Sequence, residues 1–160
     1  MTHTKLGVTF VQAAPADLDE LLPWIQAYYH FDEIPFVEAN LRRGLAVLLQ
    51  DRSLGGAWLV QHQQQTVGYF VLTFGFDLEF GGRQATLTEL YLDASSRRHG
   101  LGSATLAFIE ETLAALGVQA LELQVETDNT EARAFYQRAG FITYDRIPMS
   151  KTLTTQEIKS

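Results

Sequence analysis

One junction constrains this chain more than any other. Residues 84–92 alternate as a strand ending Glu89-Leu90-Tyr91-Leu92, which runs through Asp93-Ala94-Ser95-Ser96 into Arg97-Arg98-His99-Gly100-Leu101-Gly102-Ser103. Apolar residues then recur at Leu106, Ile109, Leu113 and Leu116, a helical spacing that Gly117 ends as a C-cap. The first N–H groups of a helix have no partner within it, and the aligned peptide dipoles place partial positive charge there. Glycines let those groups approach an anion closely, which makes a phosphate cradle, and Arg97 and Arg98 would add charge to it. Alone, Gly-x-Gly at a helix start is also compatible with a tight turn beside a solvated basic patch. No Gly-Lys-Ser/Thr triplet is present for a Walker loop. Nor do three glycines follow the first strand, as a dinucleotide fingerprint requires.

The rest of the chain reads as a mixed α/β plan. Residues 7–13 form a first strand, and Pro15 suits the first turn of a helix carrying Leu18, Leu21, Leu22 and Ile25. Pro23 lies inside that pattern and is expected to kink or split the helix. Residues 36–49 give a second helix, with Val37, Leu41, Leu45 and Leu48 on one face. Strands follow at 57–62 and 66–74, and Gly81-Gly82 turns the chain into the strand at 84–92. After the glycine-led helix come a strand at 120–125, a short helix at 129–139 and a terminal hairpin at 141–153. The order is β-α-α-β-β-β-α-β-α-β-β.

Composition narrows the function classes. At 160 residues the chain is expected to form a single domain over 1–160, long enough to bury a real core. It has no cysteine, which excludes a disulfide scaffold, a zinc ribbon, an iron–sulfur site and a Cys nucleophile. A net charge of −7 argues against nucleic acid or an anionic membrane as partner. No apolar run approaches the roughly 18–20 residues that cross a bilayer, and residues 1–10 lack a signal-peptide pattern, so a cytoplasmic location is expected. His3, His30, His62 and His99 are scattered without ligand spacing, so no metal is expected.

Arg97-x-x-Gly100-x-Gly102 after Glu-Leu-Tyr-Leu resembles the acyl-coenzyme A loop of the GCN5-related N-acetyltransferase (GNAT) family. Asn129-x-x-Ala132-x-x-Phe135-Tyr136-x-x-x-Gly140-Phe141 resembles that family's second signature. The resemblance spans roughly residues 57 to 153, and the preceding element order agrees with it. It implies the GNAT fold, an α/β (α+β) architecture with a mixed sheet of about seven strands flanked by about four helices. It also implies acetyl-CoA as co-substrate and acetyl transfer to an amine. In the family, the loop amides hold the cofactor pyrophosphate, a role that falls here on Arg97 to Ser103, with Leu101 inside that stretch. Backbone groups of Leu90, Tyr91 and Leu92 would pair with pantetheine, and one amide there would meet the oxyanion. His99 could add a donor or simply occupy a surface turn.

Acetyl transfer to an amine needs deprotonation of a group with a pKa of about 10, a fixed donor for the oxyanion and a proton for the leaving thiolate. On a helix, Asn129, Ala132 and Tyr136 share one stripe. By resemblance, Asn129 bonds the pantetheine arm and Tyr136 Oη reaches the sulfur as the acid. Tyr136 and Phe135 would otherwise be core aromatics. Alternation puts Glu89, Tyr91 and Asp93 opposite Leu90 and Leu92. Glu89 is the candidate base, or else a rim carboxylate that orients a cationic substrate. Without cysteine no acyl-cysteine can form, so direct transfer in a ternary complex is expected. The alternative is a non-catalytic acyl-CoA-binding or sensor module.

The acceptor side carries Asp32, Glu33, Glu38, Asp77 and Glu79 beside Tyr28, Tyr29, Phe31, Phe36, Phe74, Phe76 and Phe80. Carboxylates among aromatics suit a cationic amine, from a small molecule or a peptide, although the same residues could be core and solvated face. The stretch 74–83 could equally be a dimer-forming hairpin, giving a homodimer.

Overall fold

The computed structural model describes residues 7–97 and 99–154. Five strands form one sheet in sequential order: β1 (Val8–Gln12), β2 (Gly55–His62), β3 (Gln65–Asp77), β4 (Gly82–Leu92) and β5 (Ala120–Leu123). The first four are antiparallel neighbours, while β5 lies parallel to β4. A parallel pair requires a crossover, and α3 (Leu101–Ala115) supplies it. The other helices are α1 (Leu18–Phe31), α2 (Glu38–Gln50) and α4 (Thr130–Arg138).

Helices cover both faces of the sheet, which is why β2 is buried continuously from Gly55 to Val60 rather than alternately. On one face α3 packs Leu101, Leu106, Phe108 and Ile109 against Phe10, Trp58, Phe70 and Leu87. Trp58 stacks on Phe70 at 5.1 Å between centroids, and Phe10 on Phe108 at 4.4 Å. On the other face α1 and α2 set Leu21, Ile25, Leu45 and Leu49 against Ala57, Leu59, Tyr69 and Val71.

The ladder between β3 and β4 is irregular at one place. Val71 pairs with Glu89 and Leu72 with Leu87, so Thr88 is an extra residue, a β-bulge. The bulge reverses the side-chain parity of β4. Ala85 and Leu87 before it and Leu90 and Leu92 after it all pack on the α3 face, while Tyr91 packs on the α1/α2 face.

Three expectations change. The sheet has five strands among the described residues, not about seven, because residues 141–154 form no ladder. Their edge template is short: β5 has four residues, and Ile142, Ile147, Met149 and Leu153 bury little on it, being 73–92% exposed. Pro148 also removes a donor from any strand built there. Pro23 does not split α1, which is continuous from Leu18 to Phe31; the proline lies on the exposed side, so only one helical hydrogen bond is lost. The strand expected at 120–125 stops at Leu123. The Gly117 C-cap is found, with φ +71°. No helix among the described residues is long and apolar enough to cross a membrane.

Strand β3 passes β4 too closely for a side chain at Gly68. A Cβ there would lie 2.1 Å from the Tyr91 carbonyl oxygen and 2.9 Å from Leu92 Cα, both backbone. Gly68→Ala is expected to destabilise the protein by about 1–3 kcal/mol, the ordinary cost of overpacking. A urea titration would show this as a lower midpoint at unchanged slope.

Candidate active site

The junction that opens the sequence becomes a gap between strands. Strand β5 pairs with β4 only over Gln84 to Leu87, so from the bulge onward β4 has a sheet partner on one side only among the described residues. Asp93 N–H donates to the Val67 carbonyl at 2.8 Å. Antiparallel parity then commits the Tyr91 backbone to β3 and turns the N–H and C=O of Leu90 and Leu92 toward the gap. The Leu92 carbonyl accepts Arg97 Nε at 3.1 Å. Tyr91 therefore reaches this region through its ring.

At the end of the loop, Gly100 is the N-cap of α3, with φ +74° and no side chain to cap the helix. The first-turn N–H groups of Leu101, Gly102 and Ser103 are thus offered outward, as an anion cradle requires. The Leu101 side chain is core, so only its backbone can serve a ligand. Ser103 and His99 are exposed, and Arg98 lies outside the described residues. Gly102 has a packing reason of its own: a Cβ would sit 3.1 Å from Phe135 Cζ, so the glycine lets α3 approach α4. Arg97 does not point at the cradle. Its guanidinium lies over the rings of Phe31, at 4.6 Å, and Tyr91, at 5.6 Å, tying the loop to the end of α1.

The second signature opens α4. Asn129 stands just before the helix as its N-cap, and its Oδ1 accepts the Ala132 N–H at 3.1 Å. The cap uses the oxygen, which makes the side-chain amide nitrogen the end suited to a ligand. Tyr136 is half-buried between Phe135 and Phe141, at 5.2 and 5.5 Å between centroids. Burial, and then the negative charge of Asp32, push its phenol above the usual tyrosine range. It is therefore a donor at neutral pH.

On the opposite face, four more tyrosines gather around two carboxylates. Tyr69 is fully buried, and its Oη donates to Glu89 Oε2 at 3.1 Å. Tyr29 also lies near Glu89, and Tyr28 near Asp32, close enough for each carboxylate to act on the hydroxyl. The Tyr28 ring meets Tyr69, Tyr91 and Tyr29 within 6.5 Å. Burial raises all three hydroxyls first; the charge of Asp32 adds to Tyr28, and that of Glu89 to Tyr29 and Tyr69. All three keep their protons at neutral pH, and Tyr69 donates its own to Glu89.

The two signatures, the gap and the flanking phenol and carboxylate agree with a family model. The acetyltransferase (GNAT) family model matches residues 18–141. The chain belongs to the GNAT acetyltransferase family. Members of the GNAT family generally use acetyl-CoA, and the open β4 edge with an uncapped α3 N-terminus fits such an extended anionic group. Mycothiol acetyltransferase of Clavibacter michiganensis is 44% identical over 64 residues, 40% of this chain and 21% of that protein. An uncharacterized N-acetyltransferase of Methanocaldococcus jannaschii is 27% identical over 127 residues, 78% of this chain and 56% of that protein. The matched part thus spans about a fifth of the mycothiol enzyme and little more than half of the archaeal one. An integron cassette protein from a salt-marsh metagenome superposes with a TM-score of 0.79 at 27% identity, covering 92% of this chain and 91% of its own. Ribosomal-protein-alanine N-acetyltransferase of Brucella melitensis shares the fold, with a TM-score of 0.70 at 17% identity and coverage of 91% and 99%.

The acidic and aromatic residues expected on the acceptor side divide into two places in this GNAT chain. Tyr28, Tyr29 and Asp32 join Glu89, whereas Phe76 is exposed near the end of β3 and Glu79 pairs with Arg146 at 3.2 Å. Tyr69 is the residue that sequence reasoning missed. It sits in an apolar run, and its partner Glu89 is placed by a bulge that no local pattern announces. Among the described residues no cluster of three or more His, Asp or Glu could hold a metal ion.

The Tyr136 shift has a testable sign. Asp32→Asn removes the charge but not the burial, so the Tyr136 pKa should fall while staying above the ordinary tyrosine value. Difference ultraviolet titration of Asp32→Asn with and without Tyr136→Phe would measure it, and no downward movement would rule out the Asp32 contribution.

Proposed function

We propose that the chain is an acetyl-CoA-dependent N-acetyltransferase acting on a primary amine by direct attack, with both substrates bound together. The observation that carries this reading is the open edge of β4 at Leu90 and Leu92, with a protonated phenol, Tyr136, packed on one face of the sheet and a half-buried carboxylate, Glu89, on the other.

Bound acetyl-CoA would supply the acetyl group as a thioester. The first-turn amides of α3 would hold its phosphates, and the outward groups of Leu90 and Leu92 and the Asn129 amide nitrogen its pantetheine arm. On the acceptor side, an amine with a pKa of about 10 arrives protonated and must lose a proton before it can attack. Glu89 takes that proton, directly or through a water. Tyr69 and Tyr29 hold the carboxylate in place, because their raised pKa values keep them as donors. The N–H of Leu90 faces the negative charge that develops on the acetyl oxygen. Tyr136 Oη gives its proton to the departing thiolate and recovers one from solvent.

Tyr136→Phe should lower turnover by about 10²-fold, the usual worth of a general acid, with acetyl-CoA affinity nearly unchanged. Steady-state thiol release and calorimetry check the two halves. An unchanged rate would remove Tyr136 from the mechanism. No thiol release from any amine, despite tight coenzyme binding, would favour the acyl-CoA-binding module instead.

A further inference from the structure

We propose that the cavity between α2 and the bulged stretch of β4 receives the apolar arm of the acceptor, with its nitrogen at Glu89. The preferred acceptor is then a primary amine carrying a single aromatic ring or an aliphatic chain of like size. That the occupant is an acceptor rests on the acetyl-transfer reading above.

The cavity measures about 190 Å³ and opens to solvent; Ile25 from α1, Leu41, Leu45 and Leu48 from α2, and Val71 from β3 give it an apolar wall, and Asn40 and Thr88 are its uncharged polar lining residues. Glu89 is its one charged lining residue. For scale, an aliphatic protein cavity of about 150 Å³ admits benzene. A carboxylate beside such walls accepts one ammonium. A second ammonium finds no second carboxylate in the lining, and several hydroxyls find only Asn40 and Thr88 as uncharged polar side chains beside the apolar wall, which is unfavourable. Polyamines and aminosugars fit poorly for that reason.

Gly44 is the independent observation. It lies inside α2, where glycine is a poor helix former, and it lines the cavity. Its backbone does not require glycine, since it is not among the residues with positive φ. Packing does not require it either, because a Cβ at Gly44 would meet no atom within 4 Å. Gly68 and Gly102 face backbone or a ring at 2.1 and 3.1 Å, so their glycines are explained by the fold. Gly44 is exposed at the open side of the cavity, where a longer side chain would narrow the space proposed for the acceptor.

Two measurements test this on the full chain: calorimetric binding of 2-phenylethylamine or spermidine, and thiol release from acetyl-CoA with each. Wild type is expected to favour 2-phenylethylamine by about tenfold or more in kcat/KM. Gly44→Ala should raise Tm by about 1–4 °C, since alanine is the better helix former, while weakening 2-phenylethylamine. Gly44→Leu should raise the KM for 2-phenylethylamine strongly and leave acetyl-CoA binding intact. Spermidine turned over equally well or better, with Gly44→Leu indifferent, overturns the slot and keeps the acetyl transfer. Binding of 2-phenylethylamine blocked by Gly44→Leu, with no thiol release from either amine, keeps the slot and overturns the acetyl transfer. A fall in Tm on Gly44→Ala would show that the glycine serves the helix, and overturns the proposal.

Discussion

The bulge at Thr88 is the constraint on which the site depends. Strict alternation along β4 would put Glu89 on the same face as Leu87, against Leu101, Phe108 and Ile109 of the α3 core. A carboxylate there would lose its hydration with nothing to replace it, at a cost of several kcal/mol. One extra residue turns Glu89 toward Tyr69 and Tyr29 while keeping Leu87 and Leu90 on the apolar side. At the same point β5 stops pairing with β4, which exposes the outward backbone groups of Leu90 and Leu92. A single irregularity thus aims the carboxylate and opens the strand edge beside it.

The tyrosines around that edge share one electrostatic logic. Burial disfavours a phenolate, and the adjacent Asp32 and Glu89 disfavour it further, so Tyr28, Tyr29, Tyr69 and Tyr136 are all held as donors. The phenols are thus donors, which suits the proposed roles of Tyr136 as acid and Glu89 as base. The anion side is organised differently. Arg97 stacks on Phe31 and Tyr91 and bonds its own strand, so in the proposed reading the attraction for phosphate would fall on the α3 N-terminus, with partial charge of about +0.5, rather than on Arg97. A net charge of −7 is compatible with an anionic ligand because backbone amides add no formal charge.

Much of this is legible in the sequence. Helical spacing located α1, α2 and α3, Gly117 marked a real C-cap, and both signatures fall on the junctions expected of them. These features are local, set by neighbours within a turn or two. What was not legible depends on distant partners. Thr88 reads as an ordinary strand residue, and only the register against Val71 and Leu72 shows it to be extra. Residues 141–153 carry a strand-like pattern, yet a strand needs an edge, and four-residue β5 provides little. Tyr69 and Glu89 meet across twenty residues of chain through that same bulge.

The glycines make the same point from the other direction, because one residue type answers to different physical demands. Gly100 is glycine for its left-handed backbone, Gly68 for the passage of β3 beside β4, and Gly102 for the contact between α3 and Phe135. Each of these is compelled by the fold, and replacing any of them disturbs it. Gly44 answers to none of these demands, and inside a helix it destabilises the protein relative to alanine by about 0.5–1 kcal/mol. Such a residue at the exposed side of a cavity that reaches Glu89 is where the proposed acceptor would gain room. In the proposed reading the bulge and the glycine act together: the bulge presents the charge that would bind nitrogen, and the missing side chain leaves room for the carbon attached to it.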